Sequence, residues 1–415
     1  MTNSESLMAG TAATPADTPR LPPNVVVLGI VSLLMGMSSA MIYGVLPVFL
    51  VSVLGASMTS VGVIEGIAEA TTSFMKIVSG WASDWLGRRK PLVLLGYALS
   101  AINKLVFPLA ESAVMVLVAR IADRIGKGVR DAPRDALMTD ITSSRVRGSG
   151  FGLRLTLYTV GAVIGPLSAI ALMKFSGDDF RLVFWIALIP GFASILVLWI
   201  GLAEPTHAPL DAAARAAISW QDFRELPATF WWAIVLAAVL ALARFSPAFL
   251  VLKAHEIGIA ASLVPAILAL MYLVYSVSAY PFGVLVDRAD RYGQLSAGIA
   301  ILVCANLVLA FAVSTWMIAL GAALWGLQMG VTQGLLSTVI SDNAPASLRG
   351  TAFGLFDFAV GVATFMASAG RRLVLVAGRI GYGVCRWRIG CGFVARDPDA
   401  SSGDRSSGSV EPVSG

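Results

Sequence analysis

Two short stretches decide the fold: Gly80-Trp-Ala-Ser-Asp84-Trp-Leu-Gly87-Arg88-Arg89-Lys90, and Gly283-Val-Leu-Val-Asp287-Arg-Ala-Asp-Arg291. Each sets a glycine four residues before an aspartate and follows it with basic residues. The aspartates lie 203 residues apart. A second pair repeats at nearly the same interval. Arg-Gly-Ser-Gly-Phe-Gly-Leu at 147–153 matches Arg-Gly-Thr-Ala-Phe-Gly-Leu at 349–355 at an offset of 202, and Asp140 matches Asp342 at that offset. A fixed offset held by several motifs is the mark of a parallel duplication. The chain is therefore read as two similar halves in tandem.

Composition sets the environment of those halves. Hydrophobic residues make up 57% of the 415 and charged residues 13%, against about 25% charged in soluble domains. Mean hydropathy is +0.79. Apolar segments are expected to span near 24–50, 60–83, 91–110, 113–138, 149–173, 181–202, 229–252, 259–286, 295–313, 316–340 and 350–369. Most are long enough for a hydrocarbon core of about 30 Å. Inside lipid the backbone must satisfy itself, so these segments are helices. The expected fold class is an all-α membrane protein, with eleven recognisable transmembrane helices and a doubtful twelfth.

The connections orient the chain. With the N-terminus inside, the inner loops carry Arg20, Arg88, Arg89, Lys90, Arg145, Arg147, Arg215, Arg224, Arg288, Arg291 and Arg349; the outer ones carry Lys174, Arg181 and Lys253. That asymmetry predicts a cytoplasmic N-terminus. The expected organisation is a cytoplasmic tail at 1–23, a six-helix bundle at 24–202, a cytoplasmic linker at 203–228, a second bundle at 229–369, and an aberrant or disordered tail at 370–415. That last stretch has Arg379, Arg386 and Arg388 inside its apolar part, and two of the three cysteines. Each arginine costs about 2.5–3.5 kcal/mol near a helix centre. Residues from about 369 onward thus read as a shifted frame, or as a divergent twelfth span. The net charge of +5 follows from topology and implies no nucleic-acid partner. With three cysteines and two distant histidines, no metal or disulfide framework is expected.

The Gly80–Lys90 stretch resembles the signature between the second and third helices of the major facilitator superfamily, and Gly283–Arg291 sits where the family's second copy belongs. The resemblance covers residues 24–369. It implies two six-helix bundles related by a pseudo-twofold axis. It implies that Gly80, Asp84, Gly87 and Arg88 form a conformational latch, with Asp84 set against the helix beginning near Arg349. It also places Arg120 at the fourth-helix arginine linked to proton coupling. There Arg124 stands in place of a family glycine, while Gly126 matches. Gly161-Ala-Val-Ile-Gly165-Pro166 resembles the fifth-helix signature of the family's proton antiporters; a plain proline kink with small-residue packing is the alternative.

Charges inside spans are costly and tend to face cavities. The stretch Arg120–Asp135 holds eight of them in sixteen residues, all within roughly 140° of one helix face. Arg120, Asp123 and Arg124 are the candidates for mechanism, with Lys127 as a fourth. Arg130 to Asp135 are read as structural pairing near the inner surface. Glu65, Glu69, Thr72 and Lys76 share a face of the second helix. Glu65 or Glu69 is a candidate proton carrier, or a structural partner of Arg120 or Arg124. Asp357 can titrate. Arg154, Arg244, Gln328 and Thr332 are candidate cavity residues. Lys104 has no role legible in the sequence.

The expected activity is secondary active transport across a bacterial inner membrane, as proton-coupled efflux of a small molecule by alternating access. The alternatives are an exchanger or uptake carrier for an anionic or phosphorylated solute, and a non-transporting or inactive truncated product. No nucleophile–base pair or nucleotide-binding motif is present, so the chain is expected to be no enzyme. It needs no cofactor beyond the proton gradient. The expected partners are a small-molecule substrate and the lipid bilayer, with the protein a monomer.

Overall fold

The computed structural model describes residues 21–56, 58–203, 226–244 and 264–367. The tail at 370–415, most of the 203–228 linker and residues 245–263 lie outside them. Among the described residues the α-helices are α1 Pro23–Ser52, α2 Met58–Leu86, α3 Lys90–Asn103, α4 Ala113–Ile141, α5 Arg147–Ser176, α6 Phe180–Gly201, α7 Ala228–Ala243, α8 Val264–Arg288, α9 Arg291–Ala310, α10 Thr315–Asn343 and α11 at 349–367. No strand occurs among them.

Local signals set the ends. Proline opens α1 and α3, where the missing N–H costs nothing. Asp179 caps α6 by accepting from Arg181 and Leu182, and Asp290 caps α9 by accepting from Tyr292 and Gly293. Ser112 caps α4 and Ser314 caps α10, each through the N–H three residues on. These two serines are again 202 apart, so the duplication extends to the caps. Gly87 ends α2 at φ 63°, a left-handed turn that a side chain would strain.

The polarity of the packing is inverted relative to a water-soluble protein. Phe175, Trp316, Val313 and Ile200 face outward at 87%, 84%, 80% and 73% exposure, while Lys104, Arg120, Asp123 and Arg154 are buried. Lipid is the solvent that accepts this arrangement. Six described helices are long and apolar enough to cross a membrane. α2 and α4 fall outside that set through their own polar and charged residues.

Within the first half α1 packs on α5 and α6, and α4 on α2 and α3; in the second, α8 and α9 pack on α10. The halves meet where α5 lies on α8 and α2 on α11. Two contacts reveal the symmetry between them. Ser341 donates to Thr139 at 2.8 Å, and the rings of Phe151 and Phe353 lie 5.9 Å apart. In each pair the partners are 202 residues apart. Repeat-equivalent residues can touch each other only on the axis relating the repeats, so the pseudo-twofold axis passes there.

Candidate functional site

The repeated spacing of the opening motifs becomes a reciprocal seal at one end of the bundle. Asp84, at the end of α2, accepts from the N–H groups of Gly350 (2.9 Å) and Thr351 (2.6 Å) and from the Thr351 hydroxyl (2.7 Å). Asp287, at the end of α8, accepts likewise from Gly148 and Ser149 N–H, both at 2.7 Å, and from the Ser149 hydroxyl. Each carboxylate thus sits on the positive N-terminal end of a helix in the opposite half, α11 or α5. Arginines cross in the same way: Arg349 reaches Asp140 at 2.7 Å, and Arg147 reaches Asp342. Arg89 and Arg291 complete the pattern on Asp140 and Asp342.

Glycines permit the approach. A Cβ on Gly80 would stand 2.2 Å from the Gly350 carbonyl oxygen, and one on Gly148 2.5 Å from that of Gly283. The resemblance implies Arg88 in the latch, but it is the next residue that reaches Asp84. Arg89 lies 3.2 Å from Asp84, whereas Arg88 is exposed. The loop leaves Gly87 with Arg88 facing outward and the next residue facing the seam.

Above the seal is a central cavity of about 700 Å³. The first half supplies nearly all of its charge: Lys76 from α2, Arg124, Lys127, Arg130 and Arg134 from α4, and Arg154 from α5, set against Glu69, Asp123, Asp131 and Asp135. Among the described residues, the second half adds Tyr272, Tyr275, Gln333, Ser337, Phe356 and one charge, Asp357. From Asp123 onward the stripe on α4 lines this cavity, while Arg120 is not among the lining residues, so Arg130 to Asp135 belong to the cavity wall and not to surface pairing. They are buried and linked: Arg134 lies 2.9 Å from both Asp131 and Asp135, and Arg154 lies 3.7 Å from Asp135. The stripe's unbroken arc was the available signal, since one continuous face has one environment.

Farther from the seal, Tyr43 of α1 donates to Asp123. The Arg120 guanidinium stacks 3.5 Å above the Tyr43 ring, and that of Arg124 lies 5.5 Å from it. Arg124 is also 3.5 Å from Glu69, whose side chain is 63% exposed. The Glu65 side chain lies outside the described part. Tyr43 escaped the sequence reading because a tyrosine in an apolar span gives no sign of which way it faces. Lys104, also unexplained there, ends α3 fully buried, donating to Ser38 (2.8 Å) and Ser39 (3.0 Å).

Three expected cavity residues, Arg244, Gln328 and Thr332, are placed elsewhere. Gln328 and Thr332 are wholly buried in α10 and hold Arg244 at 3.2 and 3.1 Å. None of the three is among the cavity-lining residues. They fix the end of α7 against α10. Gly161 and Gly165 serve helix packing: a Cβ there would meet the Leu33 and Met37 carbonyl oxygens at 2.3 and 2.6 Å, so they let α5 lie against α1. Pro166, within the same helix, reaches the cavity wall.

Comparison with known proteins gives consistent findings. The family model described as Major Facilitator Superfamily matches residues 28–368. An uncharacterized MFS-type transporter of Methanocaldococcus jannaschii is 30% identical over 84% of this chain and 87% of its own. The inner membrane transport protein YajR of Escherichia coli is 25% identical over 80% of this chain and 72% of its own. Among solved structures, the Escherichia coli fucose:proton symporter FucP superposes with a TM-score of 0.69 at 15% identity, over 85% of this chain and 92% of that one.

Proposed function

The chain belongs to the Major Facilitator Superfamily, and from that premise we propose that it exports a small molecule across the bacterial inner membrane in exchange for protons. It is a multi-pass membrane transporter and not an enzyme. The observation that carries the finer reading is the combination of a sealed end with a charged cavity between two symmetric halves. Such halves rock about a central site, and the seal must break for the cavity to change sides. With the N-terminus in the cytoplasm, the sealed end is the cytoplasmic one and the cavity belongs to the outward-facing half of the cycle. Asp84 and Asp287 act as latches, with Gly80 and Gly87 allowing the approach. Asp123, Glu65, Glu69 and Asp357 are the carboxylates available to carry protons, and Arg120 holds positive charge beside Asp123. The fifth-helix Gly161–Pro166 pattern supports antiport.

A second reading is favoured by the wall itself. Six basic side chains on one side suit an anionic solute, exchanged or taken up. Substrate flux in proteoliposomes separates the two. Efflux that needs an inward proton gradient supports antiport; flux that ignores the gradient and needs a counter-anion supports exchange.

A further inference from the structure

Lys76 stands between two carboxylates that belong to different halves. Its Nζ is 3.1 Å from Asp357 on α11 and 3.6 Å from Asp131 on α4. α2 and α4 share a half; α11 belongs to the other. The remaining ionic contacts of this part of the wall stay within the first half. Arg134 holds Asp131 and Asp135, Arg130 lies 3.8 Å from Asp131, and Arg154 of α5 faces Asp135. From α10 only the uncharged Gln333 and Ser337 reach the cavity. Among the described residues, Lys76 is the one ion-pair partner of Asp357.

The same seam joins α2 to α11 backbone to backbone. A Cβ on Gly354 would stand 2.6 Å from the Lys76 carbonyl oxygen, and one on Gly361 2.4 Å from Ser73 Oγ. Breaking the seal at Gly80 and Gly350 therefore draws Lys76 away from Asp357. The consequences for the two charges differ. Lys76 keeps Asp131, which moves with it. Among the described residues Asp357 then keeps no paired cation; its side chain is only 18% exposed and the Asp131 and Asp135 carboxylates act on it from α4, so its lone charge is unfavourable. A proton removes that penalty.

We propose that Asp357 is the proton site that licenses opening of the seal, and that Lys76 is its switching partner, passing from Asp357 to Asp131 as the halves part. The proposal rests on the reading of the chain as a proton-coupled carrier and says which carboxylate does the coupling. No covalent bond other than the Asp357 O–H is made or broken. Because the opened state holds a proton that the sealed state lacks, acid favours opening and alkali favours the seal.

The test is a distance measurement across the seal. The full chain, with Cys304, Cys385 and Cys391 replaced by serine, carries spin labels at the exposed positions 88 and 347 and is held in lipid nanodiscs. The expected result is a short distance at alkaline pH that yields to a longer one as pH falls. Asp357→Asn is expected to abolish that pH response and leave the longer distance at every pH. Asp357→Glu is expected to restore the response. Asp131→Asn, which deprives Lys76 of its second partner, is expected to shift the response to lower pH. An Asp357→Asn protein that keeps the wild-type pH response, or a wild-type distance indifferent to pH, overturns the proposal. Solute flux separates this from the broader reading. Flux indifferent to the proton gradient, with the Asp357-dependent distance change intact, defeats the carrier reading alone. Proton-driven flux that survives in Asp357→Asn defeats the switch alone.

Discussion

Lys104 illustrates what burial does to a single residue. Its ammonium is fully enclosed and held by two serine hydroxyls, with Met35 sulfur at 3.2 Å. Hydroxyls only partly replace the hydration of a cation. Even a buried ion pair, whose charges compensate each other, is often replaced by hydrophobes of similar volume at no cost or with a gain of about 1–4 kcal/mol, and Lys104 has no such counter-charge among its hydrogen-bond partners. Lys104→Met is therefore expected to unfold at an unchanged or higher temperature in detergent; a clear drop in melting temperature would show that the cation holds the first half together. Asp84 and Asp287 give the opposite case, since each bonds to the opposite half and is proposed to stabilise this arrangement. Removing a carboxylate from a helix N-terminus costs about 1–2 kcal/mol. Asp84→Ala and Asp287→Ala are each expected to shift the sealed-to-open ratio by roughly 5–30-fold, and the double variant by about the sum of their free energies, since the seams are separate. Cross-linking across the seal reads this; an unaltered yield in the double variant would refute the latch. Asp84 was legible in the sequence because its motif is local. Tyr43, Asp131 and the Arg89 partner were not, because their roles depend on which way a helix face or a loop turns.

Elements report a different distinction, between packing inside a half and packing across halves. Gly161 and Gly80 look alike in sequence, each allowing a helix to approach another. Gly161 sets α5 on α1 within the first half, while Gly80 sets α2 on α11 of the other. Gly161→Ala is expected to destabilise the fold by about 1–3 kcal/mol, as overpacking does, and to leave the sealed-to-open ratio unchanged. Gly80→Ala is expected to do the reverse: a Cβ 2.2 Å from a carbonyl oxygen prevents sealing, while each half packs as before. Thermal melting and cross-linking together separate the two; identical behaviour of the variants would contradict the assignment of these seams. The helices themselves were readable from hydropathy and punctuation. Their partners were not, except where the resemblance set Asp84 against the helix beginning near Arg349 and where the repeat interval set Arg147 against Arg349 and Asp140 against Asp342. Even there the sequence offers the equivalence, while the exchange of partners across the axis is visible only in three dimensions.

At the scale of the molecule, a duplicated chain has folded into two halves that meet on an axis through Thr139, Ser341, Phe151 and Phe353. The halves match in backbone devices and, among the described residues, differ in charge. The first carries the basic and acidic wall; the second carries aromatic surface and Asp357. In the proposed cycle, symmetry lets the halves rock, and the asymmetry in charge decides which loads let them. The most direct test uses everted membrane vesicles containing the overproduced chain, energised so that the interior is acid, with a fluorescent probe of the pH gradient. Antiport predicts that a transported compound partly collapses the gradient in wild type and fails to do so with Arg120→Ala. A compound that is transported while the gradient stays untouched, and only in the presence of a counter-anion, would contradict proton-coupled export.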